Sequence, residues 1–266
     1  MVTDSAGSDD PWDPDIYHRF AAQRRRPFDD LVARIEPVPG GRLVDLGCGS
    51  GGLTAAAHVA LDVAEAVGVD NSPAMLAEAG QIDVPGLRFE PGDLATFHQP
   101  GVWDVVLANA SLQWVPDHGE VLGRWVDSLR PGGQLAVQVP ANPDHPAHTT
   151  VAEVLAEQPF EDHASAVGPD HLANVLDPAR YAEVLFDLGA EDPLVRLQVY
   201  GMALPKVDDV VDWVSGTALT RVRRALPPDL YERFVERYRE RLLERLDHAS
   251  PYYYAFKRIL MRGRFP

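Results

Sequence analysis

Between Arg42 and Leu61 the chain runs from an apolar strand pattern, RLVDLG, through a glycine-rich turn, GCGSGG, into a helical pattern. This junction constrains the fold more than any other stretch. A strand that feeds a tight turn and then a helix opens a crossover unit, and crossover units assemble into parallel sheets. Glycines let the backbone turn sharply and let a ligand approach the main chain closely. The alternation then repeats. Strand patterns fall at 66–70, 87–93, 103–109 and 133–139, with helical patterns at 51–61, 73–80 and 117–129. RPGG at 130–133 reads as a helix stop before the fifth strand.

On either side the text is mostly helical. An amphipathic helix is expected from Ile16 to Ile35. After the fifth strand comes a Pro- and His-containing loop, ANPDHPAHTT at 141–150, then helical text at 151–157 and 178–188. A sixth strand is expected at 194–200 and a last one at 254–261. Between them, 207–247 reads as helical with a break at Pro227–Pro228. That block is too long for an ordinary strand connection, so it is expected to cap a site. The fold class is therefore α/β: a Rossmann-like, seven-stranded, mostly parallel sheet with helices on both faces. An N-terminal lid helix precedes it, and a helical cap is inserted before the last strand.

Composition narrows the partners. The chain carries 24 Lys and Arg against 40 Asp and Glu, a formal net charge of −16. A duplex-binding protein displaces counterions with a basic footprint, so no nucleic-acid partner is expected. No apolar run approaches the ~18 residues of a membrane span, so no membrane partner is expected either. The opening MVTDSAGSDD lacks the apolar stretch of a secretory signal and is expected to be a disordered tail. Cys48 is the only cysteine, which rules out an intrachain disulfide and suits the cytoplasm. Composition leaves the oligomeric state open.

The glycine spacing admits two readings. Gly47, Gly49 and Gly52 satisfy G-x-G-x-x-G, the dinucleotide fingerprint. Gly47, Gly49 and Gly51, with Asp45 two residues ahead, satisfy the acid-x-G-x-G-x-G form of methyltransferases. The residues closing the next strands separate the two. Asp70 closes the second strand, where a carboxylate can accept from ribose hydroxyls. Asp93 closes the third, where one can accept from an adenine amino group, and Asn109 closes the fourth. Polar groups at successive carboxyl ends converge on the crevice where such sheets bind ligands. Asp45 would repel a pyrophosphate but suits a ligand with an ammonium and a sulfonium. Each acid alone is an ordinary turn or cap residue; the ordered set is not.

These residues resemble a known family. The stretches are Trp12-Asp13-Pro14, Tyr17, Phe20 and Arg24-Arg25-Arg26-Pro27, then DLGCGSG at 45–51, DNSPAMLAEA at 70–79 and ANASLQWVPDH at 108–118. AVQVPAN at 136–142, Pro146, His148, Asp212-Trp213-Val214 and Lys257-Arg258 extend them. Together they resemble the trans-aconitate 2-methyltransferase group of class I methyltransferases. The resemblance implies S-adenosyl-L-methionine as cofactor and transfer of its methyl group to one carboxylate of a small polycarboxylic acid. It implies Asp70 on the ribose, Asp93 and Leu94 at the adenine, and Gly47 and Asn109 at the methionine part, with Asp45, Gly49 and Asn71 also expected to bind the cofactor. Gln113 and Trp114 would border the transfer pocket. One departure bears on the substrate: the family's Tyr-x-His-Gln pattern is Tyr200-Gly201-Met202-Ala203 here.

The implied organisation is a tail at 1–10, a lid helix at 11–40, a cofactor-binding core at 41–142, the rest of the core with a substrate-side loop at 143–206, a cap at 207–250 and a last strand at 251–266. Esterifying a carboxylate needs no general base, because a group of pKa near 4 is already an anion. Substrate positioning is therefore expected from Tyr17, Arg24, Arg26, Gln113, Trp114, His148 and Arg258. Five of them have an ordinary reading too: helix-face charges paired with Asp29 and Asp30 for Arg24 and Arg26, an edge-strand charge for Arg258, core packing for Tyr17 and Trp114. His145 and His148 lack a third nearby ligand, so no metal is expected. Three other functions stay open: methylation of a natural-product hydroxyl or amine with His148 as base, a nicotinamide-dependent dehydrogenase, and a noncatalytic ligand-binding module.

Overall fold

Leu43, Ala66, Val105 and Leu107 alternate with Val44, Val67, Val106 and Ala108 along their strands, and all are buried. Strands apolar on both sides are what a parallel sheet covered by helices on each face requires. The computed structural model describes residues 21–215 and 218–266, with side chains from Arg25 onward. Its strands are β1 (Arg42–Leu46), β2 (Glu65–Asp70), β3 (Leu87–Pro91), β4 (Trp103–Asn109), β5 (Leu129–Pro140), β6 (Glu191–Leu204) and β7 (Tyr252–Phe265). They form one seven-stranded sheet in the order β3-β2-β1-β4-β5-β7-β6. β1 pairs in parallel with β2 and β4, β2 with β3, and β4 with β5, while β7 runs antiparallel to β5. The expected α/β fold is the observed one.

Helices α1 (Ala21–Val32) and α2 (Gly52–Ala60) cover one face, where Phe28, Leu31 and Ala57 meet Leu43, Val105, Leu107, Ala136 and Leu260. Helices α4 (His118–Asp127) and α7 (Pro178–Asp187) cover the other, where Trp125 and Tyr181 meet Val106, Val137 and Met261. The short α3 (Pro73–Ala79) follows β2. Its start is written locally: Ser72 accepts from the Met75 N–H, and Pro73 takes the first turn, where a missing N–H costs nothing.

Several boundaries differ from the sequence pattern. RPGG does not stop a helix before β5 but lies inside that strand. Trp103 pairs with Leu129 and Val105 with Gln134, so the glycines make an irregularity that the sheet absorbs. β6 and β7 run well beyond 194–200 and 254–261. Charged residues hide the true length of β7: Arg262 and Arg264 sit within it because both pair with Glu36, at 3.3 and 3.1 Å. Helix α5 (Pro146–Leu155) starts five residues before its pattern, capped by His145 Nδ1, which accepts from the Ala147 N–H at 3.1 Å. After α6 (Ala164–Val167), the 207–247 block contains α8 (Asp209–Ser215), α9 (Thr220–Ala225) and α10 (Pro228–Arg245), with the break at Pro227–Pro228 as expected.

The chain falls into two compact units. One comprises Ala22–Asn142, His171–Tyr200 and Ala255–Pro266; the other includes Pro143–Asp170 and Gly201–Tyr254. The segment 143–170, read from the sequence as part of the core, thus groups with the cap helices. Within that second unit, Arg237 and Arg241 of α10 both bind Glu157, at 2.6 and 2.7 Å, and the Tyr238 hydroxyl donates to the Ala147 carbonyl at 2.6 Å.

Candidate active site

The site grows from the glycine turn between β1 and α2. Gly47, Gly49 and Gly51 all have positive φ, +81°, +54° and +79°. Each is favoured for a different reason. A Cβ at Gly47 would lie 2.3 Å from Ser111 Cβ, and one at Gly51 would lie 2.4 Å from the Phe89 ring. A Cβ at Gly49 would meet nothing within 4 Å. The main chain at Gly49 therefore borders open space, as a backbone that receives a ligand must. The Gly47 and Cys48 N–H groups donate to the Val69 carbonyl at 2.7 and 3.1 Å, tying the turn to the end of β2.

Asp70 closes β2 and completes that tie. One of its oxygens accepts from the Gly49 N–H at 2.8 Å and the other from the Ser72 N–H at 2.9 Å. Each carboxylate oxygen keeps a lone pair for a further donor. Asp45, on β1, is only 3% exposed and accepts from the Thr54 hydroxyl at 2.6 Å. Burial raises its pKa from 3.8 to about 7, with Asp70 adding to the rise and Thr54 opposing it. An acid held near its titration point in a dry site is a ready partner for a cationic ligand. Burial, with Asp45 and Asp70 beside it, pushes the Cys48 thiol well up, so this cysteine is no nucleophile.

The remaining expected residues fall as follows. Asn71 and Asp93 are exposed, and Asp93 also accepts from the Ala95 N–H at 2.8 Å. Leu94 packs at the edge of the core, close to Gly47. Asn109 closes β4 with a buried side-chain oxygen that has no hydrogen-bond partner. Gln113 is buried; its amide nitrogen donates to the Ala110 carbonyl at 2.6 Å, and its oxygen is left without a partner. Trp114 stacks on His171, with ring centroids 4.1 Å apart. Arg26 lies over the Tyr200 ring, whose hydroxyl donates to Asp30 at 2.7 Å, and Arg25 pairs with Asp29. Arg258 stacks over Phe256 at 4.8 Å and reaches Asn142 at 3.4 Å. His148 belongs to the second unit, 3.5 Å from Asp170. Tyr17 and the Arg24 side chain lie outside the described residues.

One residue at these strand ends escaped the sequence reading. Gln138 on β5 lies beside Asn109 and is 1% exposed, and its amide nitrogen has no partner. The only signal was a polar letter inside the apolar run AVQV. Among the described residues no group of three or more His, Cys, Asp or Glu could hold a metal ion.

Acids on β1 and β2, a glycine turn open to a ligand and an unpartnered acceptor on Asn109 fit a cofactor with a cationic end and a ribose. On this sheet order they define a class I S-adenosylmethionine-dependent methyltransferase. A methyltransferase-domain family matches residues 20–182. The chain is 42% identical over 259 residues to "Trans-aconitate 2-methyltransferase" of Deinococcus radiodurans, covering 96% of this chain and 98% of that protein. It is 37% identical over 244 residues to the protein of the same name from Mycobacterium tuberculosis H37Ra, covering 90% and 89%. A methyltransferase structure from Bacillus halodurans superposes with a TM-score of 0.60 at 14% identity, covering 91% of this chain and 99% of that one; it shows the fold alone. The chain belongs to the trans-aconitate 2-methyltransferase group of class I methyltransferases.

Proposed function

We propose that this enzyme forms a methyl ester on one carboxylate of a small polycarboxylic acid, with trans-aconitate the first candidate. The observation that carries the reading is kinship along nearly the whole chain with relatives bearing that name. The site chemistry agrees: the polar side chains at the carboxyl ends of β4 and β5, and opposite the end of β5 on β7, are amides and an arginine, suited to holding an anion rather than removing a proton. Bound S-adenosylmethionine supplies an activated methyl group. Asp70 and Asn71 hold its ribose, Asp93 and Leu94 its adenine, and Gly47, Gly49, Asn109 and Asp45 its amino-acid end. Gln113 and Trp114 border the reacting centre, while Arg258, Arg26, Arg24 and Tyr17 receive carboxylates. Alignment of this kind is worth on the order of 7–11 kcal/mol. The lone thiol fits the cytoplasm, and the net charge of −16 disfavours nucleic acid.

A second reading has one observation behind it. His148 Nδ1 lies 3.5 Å from Asp170 without a hydrogen bond between them; closed to hydrogen-bond distance, the two would make a base and its orienting acid, as methylation of a hydroxyl or amine would need. One experiment decides. Labelled S-adenosylmethionine is incubated with di- and tricarboxylic acids and with hydroxyl and amine acceptors. A polycarboxylic acid should be labelled, and the product should release methanol in base. His148→Ala should leave turnover within a few-fold. Labelling of hydroxyl acceptors only, abolished by His148→Ala, refutes the ester reading.

A further inference from the structure

We propose that Gln138 binds the acceptor directly: its side-chain amide donates a hydrogen bond to a carboxylate of the acid being methylated. The inference rests on the polycarboxylate reading and names a residue for it. Side chains alternate along β5. Leu135, Val137 and Val139 enter one core, and Ala136 enters the core under α1 and α2. Gln138 therefore shares the face of Ala136, one step nearer the carboxyl end of the strand. By the same alternation Asp45, Asn109 and Arg258 share that face.

Gln134, on the same strand and face, shows what a structural glutamine does. Its oxygen accepts from the Glu36 N–H and its nitrogen donates to the Glu36 carbonyl, both at 2.9 Å. Gln138 is as deeply buried, yet its nitrogen has no partner. Buried donors are almost always satisfied, so an orphan beside a ligand crevice points to a ligand. The atom types select which one. Asn109 presents an unpartnered oxygen, an acceptor; Gln138 presents an N–H, a donor. A carboxylate can only accept, so it matches the donor that Gln138 leaves unpartnered.

The order of charges across the sheet agrees. Asp70 stands on β2, Asp45 on β1, the amides Asn109 and Gln138 on β4 and β5, and Arg258 on β7. A cationic ligand belongs at the acidic end and an anionic one toward the cationic end. Arg258 faces Pro140 across β5 and β7, so it is the diagonal neighbour of Gln138, ~7–8 Å away. That spacing suits one carboxylate on Gln138 and a second on Arg258. Methylation neutralises the reacting anion, so this hydrogen bond is stronger before transfer than during it. Its loss should therefore raise KM while leaving kcat unchanged or slightly higher.

The test compares wild type, Gln138→Leu and Gln138→Glu. Leucine keeps the bulk and removes the donor. With a polycarboxylic acid that wild type methylates, Gln138→Leu should raise KM about tenfold or more, with kcat and the Kd of adenosylhomocysteine each within about threefold. Its melting temperature should hold or rise, since an unpaired donor has been removed, whereas Gln134→Leu should melt lower. Gln138→Glu should raise KM most at pH 8 and less at pH 6, where a buried carboxyl regains a proton to donate. An unchanged KM in Gln138→Leu overturns the assignment and leaves the substrate reading standing. Weakened cofactor binding, or a melting loss like that of Gln134→Leu, also overturns it. If wild type methylates no polycarboxylic acid, both fall.

Discussion

Asp45 couples protonation to stability and, in the proposed function, to cofactor binding, and Asp45→Asn separates them. Below pH 3.8 this carboxyl is protonated in the folded and the unfolded chain alike. Between 3.8 and about 7 the unfolded chain has lost the proton and the folded chain keeps it. The folded state then binds more protons, so stability falls as pH rises through that window and levels off above it. The full cost of ionising the buried acid is on the order of 4 kcal/mol, at 1.36 kcal/mol per pKa unit. Asparagine still accepts from Thr54 but never ionises. Relative to wild type, Asp45→Asn should therefore gain about 2–3 kcal/mol of stability between pH 5 and pH 8. Urea unfolding of both proteins without cofactor at pH 5, 6.5 and 8 measures this difference of differences, in which every other titrating group cancels. If the ionised form is the one that binds the cofactor cation, its population rises about tenfold from pH 6 to pH 8, and the apparent Kd should fall by as much. Asp45→Asn should bind more weakly at pH 8 and lose that pH dependence. A stability difference that stays constant with pH would refute the buried-acid reasoning. Equal pH dependence of binding in the two proteins would remove Asp45 from the cofactor's cationic end.

Three further substitutions probe the turn and its acid. Asp70→Ala should cost about 2–3 kcal/mol of cofactor affinity by titration calorimetry, because its bonds to ribose hydroxyls would be charge-assisted; unchanged affinity would leave it a turn residue serving Gly49 and Ser72. Gly47→Ala should lower the melting temperature markedly, since its Cβ would meet Ser111 at 2.3 Å. Gly49→Ala, with open space around its Cβ, should melt within a few degrees of wild type yet bind the cofactor at least several-fold more weakly; the reverse pattern would place the ligand elsewhere.

The sequence was most legible where one residue type has one physical use. Glycines after an apolar strand, Asp70 at a strand end and Ser72-Pro73 opening a helix are local devices, and local text reveals them. The sheet was readable because parallel strands buried on both faces are nearly continuous apolar runs. Reading failed where a distant partner decides. Arg262 and Arg264 argue against a strand until Glu36, far along the chain, is placed beside them. RPGG spells a turn, and only its pairing with β4 turns it into an irregularity inside β5. Gln134 and Gln138 are the same letter in the same strand on the same face. What separates them is whether a backbone lies opposite, and no spacing in the sequence records that. The His148–Asp170 pair is hidden in the same way, its members joined by folding across α5 and α6.

The order of charges across the sheet also bears on why a strongly acidic protein can take an anionic substrate. At physiological ionic strength fields fade over ~8 Å, so most of the excess of 40 Asp and Glu over 24 Lys and Arg is screened from the site, and the nearest groups decide. Those groups form a row running from acid to cation. A sulfonium and a carboxylate brought together along it attract each other, and methyl transfer removes both charges. The proposed hydrogen bond from Gln138 to the reacting carboxylate would therefore be weakened by the reaction itself, whereas Asp45, facing the cofactor's ammonium, would keep its contact. Arg258, on a second carboxylate, would keep its contact after transfer. Such a site should discriminate among acids by the spacing of their carboxylates. That spacing is set by the β5–β7 register that holds Gln138 and Arg258 on one diagonal.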